Sequence, residues 1–378
     1  MDSFTEIENV GWGSRIKESI KGILVGIVLF VASFPVLWMN EGCAVKDYEA
    51  WQFMSDNLIS VSSDAVEGAN EGKLVHTSGN ATTDDVVRDA EFDVAVTAIR
   101  LRRSVEMYQW DEDVTERKEK KVGGGEKRVK KYSYEQKWSS SHIDSSKFKH
   151  QEGHKNPSSM AFKSKTINAT NVALGDFALS QKLISEIDKF EGVQLDSVPE
   201  VGNRPIHKHG GGLYIGEDPS NAVVGDLRVK FQKAPAQDVT VTAKQTGKTF
   251  AAFPLPNERT AERLDAGLLT PDQVHGAAKS ETAFRTWLTR LGGLLAMFFG
   301  ITLVVRPLSV VADVLPILGS IVGGVTGFVG FLIALALSAT TIALAWVAYR
   351  PMLAGTLFAI AAVGIILGFK MRRKPAHA

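Results

Sequence analysis

The residues best suited to chemistry in this chain are histidines beside glycines. His209-Gly210-Gly211-Gly212 has the form of the loop that donates an oxyanion-hole amide in some esterases. That chemistry also needs a nucleophile elbow, G-x-S-x-G, and the sequence contains none, so a glycine-rich turn is the simpler reading. His207 with His209, and His150 with His154, are spaced to share a metal. Each pair lacks an evident third ligand, and the neighbours are mainly Lys, Gly and Gln rather than carboxylates. Surface or hydrogen-bonded histidine is expected instead. There is no H-E-x-x-H, C-x-x-C, Walker loop or G-x-G-x-x-G placed after a strand. Asn80-Ala81-Thr82 and Asn168-Ala169-Thr170 are glycosylation sequons, relevant only in a eukaryotic source. The expectation is therefore no enzyme, no catalytic residues, no metal and no cofactor. An extracytoplasmic enzyme using His142, His150, His154, His207 or His209 is the least favoured alternative.

The elements that would carry these residues are set by a strong segregation of apolar sequence. The chain has 378 residues, 44% of them hydrophobic, and a formal net charge of +1. That balance offers no electrostatic argument for nucleic acid. The single cysteine, Cys43, excludes an internal disulfide framework and a thiolate-rich metal site. From Gly22 to Asn40 the chain is uncharged for about 19 residues, close to the roughly 20 of a bilayer-spanning helix. A secretory signal has a shorter core and a small-residue cleavage site, so this run reads as a retained anchor. Trp38 suits the headgroup boundary, and Pro35 lies near the end of the run.

Three further apolar stretches, Leu291–Val305, Val314–Tyr349 and Pro351–Phe369, lie near the C-terminus. The middle one is too long for one span and could hold two short spans, or one span with a lead-in. Charge decides: Arg15, Lys17 and Lys21 precede the first span, and Lys370, Arg372, Arg373 and Lys374 follow the last. Both termini then read as cytoplasmic, which requires an even number of crossings. The expected fold is an α+β membrane protein with four transmembrane helices, at 21–40, 288–305, 324–347 and 351–369. Residues 1–20 form a cytoplasmic N-terminus, 41–287 a β-rich extracytoplasmic domain, 306–323 an interfacial or re-entrant segment, and 370–378 a basic cytoplasmic tail.

Period-two alternation predicts strands over Phe92–Ala98, Leu227–Gln232 and Val239–Ala243. Two polar-aromatic runs between Val105 and Trp138 flank Gly123-Gly124-Gly125 and predict a long hairpin with a glycine turn. Its dense Lys, Arg and Glu read as a solvated tip; a basic finger touching acidic lipid or a partner is the sharper alternative. A helix is expected over Ser180–Phe190, and another begins at Thr270-Pro271-Asp272-Gln273, which has the form of a capping box. In the membrane region Gly319, Gly323 and Gly327 recur every fourth residue, as do Gly364 and Gly368. Such spacing lets helices approach closely. Arg306, Asp313 and Arg350 are expected at interfaces. No ionisable residue falls in mid-span, which weakens a pump or proton-coupled carrier.

The order of these features resembles the LUMA family (transmembrane protein 43). The matching residues are SFPVLWMNEG at Ser33–Gly42, NEGKLVHTSG at Asn70–Gly79, VEMYQW at Val105–Trp110, YSYEQKWSSSHIDSSKF at Tyr132–Phe148, GHKNPSSM at Gly153–Met160 and RPLSVVADVLPILG at Arg306–Gly319. Cys43 stands where that pattern has arginine. The resemblance implies a scaffold that self-associates as a homo-oligomer in contact with membrane lipids and organises membrane protein complexes. A bacterial member is expected, in the cytoplasmic membrane with its domain in the periplasm or outside. In a eukaryote the resemblance implies the endoplasmic reticulum or inner nuclear membrane, and emerin- and lamin-type partners. No catalytic residue comes with it. A channel or transporter built from the C-terminal helices is the alternative, because broken Pro/Gly-rich segments can line a path.

Overall fold

The computed structural model describes residues 2–195, 198–199, 201–352, 355–356 and 363. The chain divides into two units. One comprises Met1–Glu6, Gln52–Arg117 and Val129–Gly276; the other comprises Ile7–Trp51, Lys118–Arg128 and Ala277–Ala378.

The first unit is built mainly of strands. Strand β1 is Asp2–Val10 and helix α1 is Trp12–Asn57; β2 is Leu74–Thr82, β3 Arg100–Lys120 and β4 Glu126–Ser139. Helix α2 is Gln181–Glu186, and β5 to β9 are Ile206–His209, Gly212–Ile215, Leu227–Ala234, Gln237–Thr246 and Arg263–Ala266. One sheet has the order β1-β4-β3-β7-β6-β5, and a second contains β9-β8-β2. In the first sheet Val105 faces Val229 and Met107 faces Leu227 across antiparallel strands. In the second, Val241 is opposite Thr77 on one side and Leu264 on the other.

Alternation along these strands supplies one core from both sheets. Leu101, Val105, Met107, Val229 and Phe231 share it with Val75, Val239, Val241 and Ala243, and α2 adds Leu183 and Ile184. The expected strand at 92–98 is shorter, because Asp93 takes a left-handed φ of 53° and turns the chain. Aspartate tolerates that conformation better than a branched residue would. The Ser180 helix also ends early, at Glu186, with the Ser180 side chain accepting from the Leu183 N–H.

Three helices dominate the second unit. Helix α1 is 46 residues long and continues through Pro35. Helix α3 is Pro271–Ala312 and α4 is Pro316–Tyr349. All three are long and apolar enough to cross a membrane by length and composition. The start of α3 is the capping box read from its sequence: the Thr270 N–H donates to the Gln273 side chain and the Gln273 N–H to the Thr270 hydroxyl. The fourth expected span, 351–369, lies for the most part outside the described residues, as does the tail at 370–378.

The segment 306–323, expected to be interfacial or re-entrant, is helical on both sides of a turn at 313–315: α3 continues through Pro307 and α4 starts with Pro316 at its first position. Proline removes one helical donor and is well suited to a first turn. Residues Asp2–Glu6 of β1 belong to the strand-rich unit, where β1 is the neighbour of β4 in its sheet.

Inside the first unit, Asp226 is buried between the Tyr214 hydroxyl, the Arg204 guanidinium and the Val223 N–H. Burial, then the hydrogen bond to Asp226, pushes the Tyr214 phenol well above its ordinary range. Asp226→Ala should lower the unit's unfolding free energy by about 2–3 kcal/mol, the cost of orphaning donors to a buried carboxylate, as measured by denaturant titration.

Candidate functional site

At one end of the helix unit a charged cluster ties three pieces of chain together. Asp313 is 1% exposed and sits in the turn between α3 and α4. The Arg15 Nη2 of α1 lies 2.5 Å from its Oδ2, and the Lys120 Nζ from the hairpin lies 2.6 Å from its Oδ1. Arg15 also donates to the Gly124 carbonyl at 2.6 Å and pairs with Glu126 at 3.4 Å. Glu126 accepts from Arg128, which reaches Glu18 at 2.6 Å. Those two carboxylates hold the Arg128 guanidinium firmly protonated.

The glycines of the hairpin turn make this possible. Gly123 and Gly124 have φ of +88° and +79°, and a Cβ on Gly124 would lie 2.3 Å from the Trp12 ring. The Gly123 N–H donates to the Val314 carbonyl, and the Trp12 indole to that of Val310. The tip is expected as a solvated loop, and Lys118, Lys121 and Val122 are exposed on it. Lys120, Glu126 and Arg128, in contrast, are partners of α1 and of the helical turn.

The middle of the bundle is apolar and closely spaced. A Cβ on Gly26 would meet the Gly300 carbonyl at 2.8 Å, and one on Gly300 would meet the Phe30 nitrogen at 2.7 Å. Leu37, Met297 and Ala334 are buried together just beyond. At the other end Glu41 accepts from Arg290 through both carboxylate oxygens, each at 2.7 Å, and from the Trp346 indole at 2.7 Å. Asp47 pairs with Arg285, and the Trp51 indole donates to Thr282.

Of the glycines singled out from spacing, Gly319 packs against Asp313, where an added Cβ would fall 1.7 Å from the carboxylate. A Cβ on Gly323 would come 3.0 Å from the Ser309 hydroxyl, and one on Gly327 would meet nothing within 4 Å. Gly364 and Gly368 lie outside the described residues. Arg306 is exposed on α3, while Arg350 caps α4 with its guanidinium 5.5 Å from the Tyr48 ring centroid. Gly26, Gly300 and the Glu41–Arg290 pair were missed by sequence reasoning. The Gly22-Ile23-Leu24-Val25-Gly26 spacing was the available signal for the first.

The histidines serve packing in the first unit. His154 stacks on Tyr134 with centroids 4.0 Å apart, and His150 stacks on Phe4 at 4.2 Å. Burial, then a hydrogen bond to Glu112, pushes the Tyr134 phenol up to about 12. Lys149 and then Tyr132 bond Glu6 and hold its carboxyl below the usual range. His207 faces Tyr214, and His209 faces Gly212, across the β5–β6 pair. A cleft of about 220 Å³ at His209–Gly212 is lined also by Gln194, Leu195 and Lys208, which provide no hydroxyl or thiol nucleophile. Among the described residues no three His, Cys, Asp or Glu side chains gather as a metal site.

Comparison with known proteins places these features in context. The family model described as transmembrane protein 43 matches residues 107–351. Transmembrane protein 43 of Rattus norvegicus is 35% identical over 372 residues, covering 94% of this chain and 92% of the relative. That of Homo sapiens is 34% identical over 371 residues, with the same two coverages, 94% and 92%. The homolog of Drosophila melanogaster is 29% identical over 343 residues, covering 88% of this chain and 90% of the relative. No solved structure matches the chain at a significant level.

Two outcomes follow from the clamp at Asp313. Replacing it with alanine strands Arg15 and Lys120, so the thermal transition of the purified protein should fall by the equivalent of about 3 kcal/mol. Thiols placed at Glu8 and at the exposed Val122, in a Cys43→Ser background, should react with an impermeant maleimide from the same side of sealed vesicles. Labelling from opposite sides would show that the tip leaves α1 in a bilayer.

Proposed function

The chain belongs to the transmembrane protein 43 family, and we propose that it is a non-enzymatic membrane scaffold that associates with itself and with other membrane proteins. One observation carries this reading: few residues of the apolar helices are buried within the protein, and many large apolar side chains on them are exposed. Only 17% of the apolar windows of α1 and α3, and 28% of that of α4, is buried within the protein. Leu24, Val28 and Val31 on α1, and Ile321, Val325 and Phe328 on α4, face outward. Contiguous apolar surface on this scale marks contact with lipid or with another chain.

Helix α4 supplies a surface suited to a second helix. Gly324 and Gly327 have open space where a Cβ would stand, beside the exposed Val325 and Phe328. Without a hydrophobic drive in lipid, close backbone approach at small residues is a main source of helix affinity. The strand-rich unit, with its polar outer positions, is the part free to meet partners outside hydrocarbon.

The test is the oligomeric state of the full chain in lipid nanodiscs, read by crosslinking and native mass spectrometry. Dimers or larger assemblies are expected, and Gly327→Leu should shift them toward monomer by about 1–2 kcal/mol of association energy. A strictly monomeric protein that captures no membrane protein in its native membrane overturns the reading.

A further inference from the structure

We propose that the pocket formed by Tyr48, Trp51, Lys279, Trp287, Arg290 and Arg350 binds the phosphate of an anionic lipid headgroup. It is an open cleft of about 210 Å³ at the Glu41–Trp51 end of the helix unit. Its walls combine three cations with aromatic rings. The Arg350 guanidinium carbon lies 5.5 Å from the Tyr48 ring centroid and 5.8 Å from that of Trp346, and the Arg290 carbon lies 4.7 Å from that of Trp287.

Part of this charge is unpaired. Arg290 is engaged by Glu41, and Asp47 by Arg285, while Glu49 and Glu281 stand on the same stretches of α1 and α3. Neither Arg350 nor Lys279 has a carboxylate partner among the described residues. Cations held at the edge of hydrocarbon call for an anion, and the anion abundant at that depth is lipid phosphate. Arginine is suited to it, since a guanidinium can give phosphate two parallel hydrogen bonds. Tyr48, Trp51 and Trp287 have the amphipathic character of residues at headgroup level.

A second feature separates lipid from free phosphate. Trp287 stands at the edge of the pocket, and on the flank of α3 beside it the exposed Phe284, Leu288, Leu291 and Leu295 share one helix face. Acyl chains leaving the cleft past Trp287 would cover that flank, whereas inorganic phosphate would leave it bare.

The test uses the full chain, purified in detergent, stripped of lipid and titrated with phosphatidic acid, phosphatidylcholine or inorganic phosphate. Tryptophan emission and native mass spectrometry are the readouts. Phosphatidic acid should bind saturably and at least about tenfold more tightly than phosphatidylcholine, the discrimination expected from one charge-assisted contact. The double variant Arg350→Gln, Lys279→Gln should lose that preference, while Lys17→Gln, at the other end of α1, should keep it. Unchanged circular dichroism shows that the variants fold, and Arg350→Lys should retain part of the affinity.

Equal binding of the two lipids overturns the proposal, and so does an unaffected double variant. Occupancy by millimolar inorganic phosphate with lipid-like affinity also overturns the lipid assignment. The inference goes beyond the scaffold reading: a monomer that captures no membrane protein yet binds phosphatidic acid sinks that reading and leaves this one standing.

Discussion

A carboxylate removed from water must be neutralised, and in this protein Asp313 imposes that condition on three separated pieces of chain. Desolvating it costs several kcal/mol, offset only by good geometry with opposite charge and further hydrogen bonds. Arg15 supplies the guanidinium and Lys120 the ammonium, and Gly319 leaves the space the carboxylate fills. The glycine turn serves the same need, since a Cβ at Gly124 would strike Trp12. The Glu41–Arg290–Trp346 group closes the opposite end by the same physics.

Between these clamps lies a bundle held by shape. Gly26 and Gly300 bring α1 and α3 to backbone contact, and a small cluster around Leu37 fills the space beside them. Few residues of its apolar windows are buried within the protein. This is the sense in which a scaffold role and a lipid site fit one architecture: both place an occupant where the chain leaves apolar surface or charge without a partner.

The histidines show how a motif changes meaning once its neighbours are known. His150 and His154 are close in sequence, as a metal pair would be, but their rings stack on Phe4 and Tyr134. Phe4 comes from β1, whose neighbour in the sheet is β4, more than a hundred positions away in sequence.

Local patterns were legible where local physics decides. The apolar runs, the hairpin around Gly123–Gly125, the alternating strands and the Thr270 capping box depend on residues within a few positions of one another, and they stand in the structure. The family, too, was visible in short ordered blocks of residues. Partners across the chain were not. Nothing near Asp313 in sequence announces Arg15 or Lys120, and nothing near Arg350 announces Tyr48. Periodicity tells a strand that it has two faces but not which distant strand will lie beside it. Pairing of that kind is chosen by the whole folded chain, because only there do buried charge, close glycines and unsatisfied backbone find their counterparts.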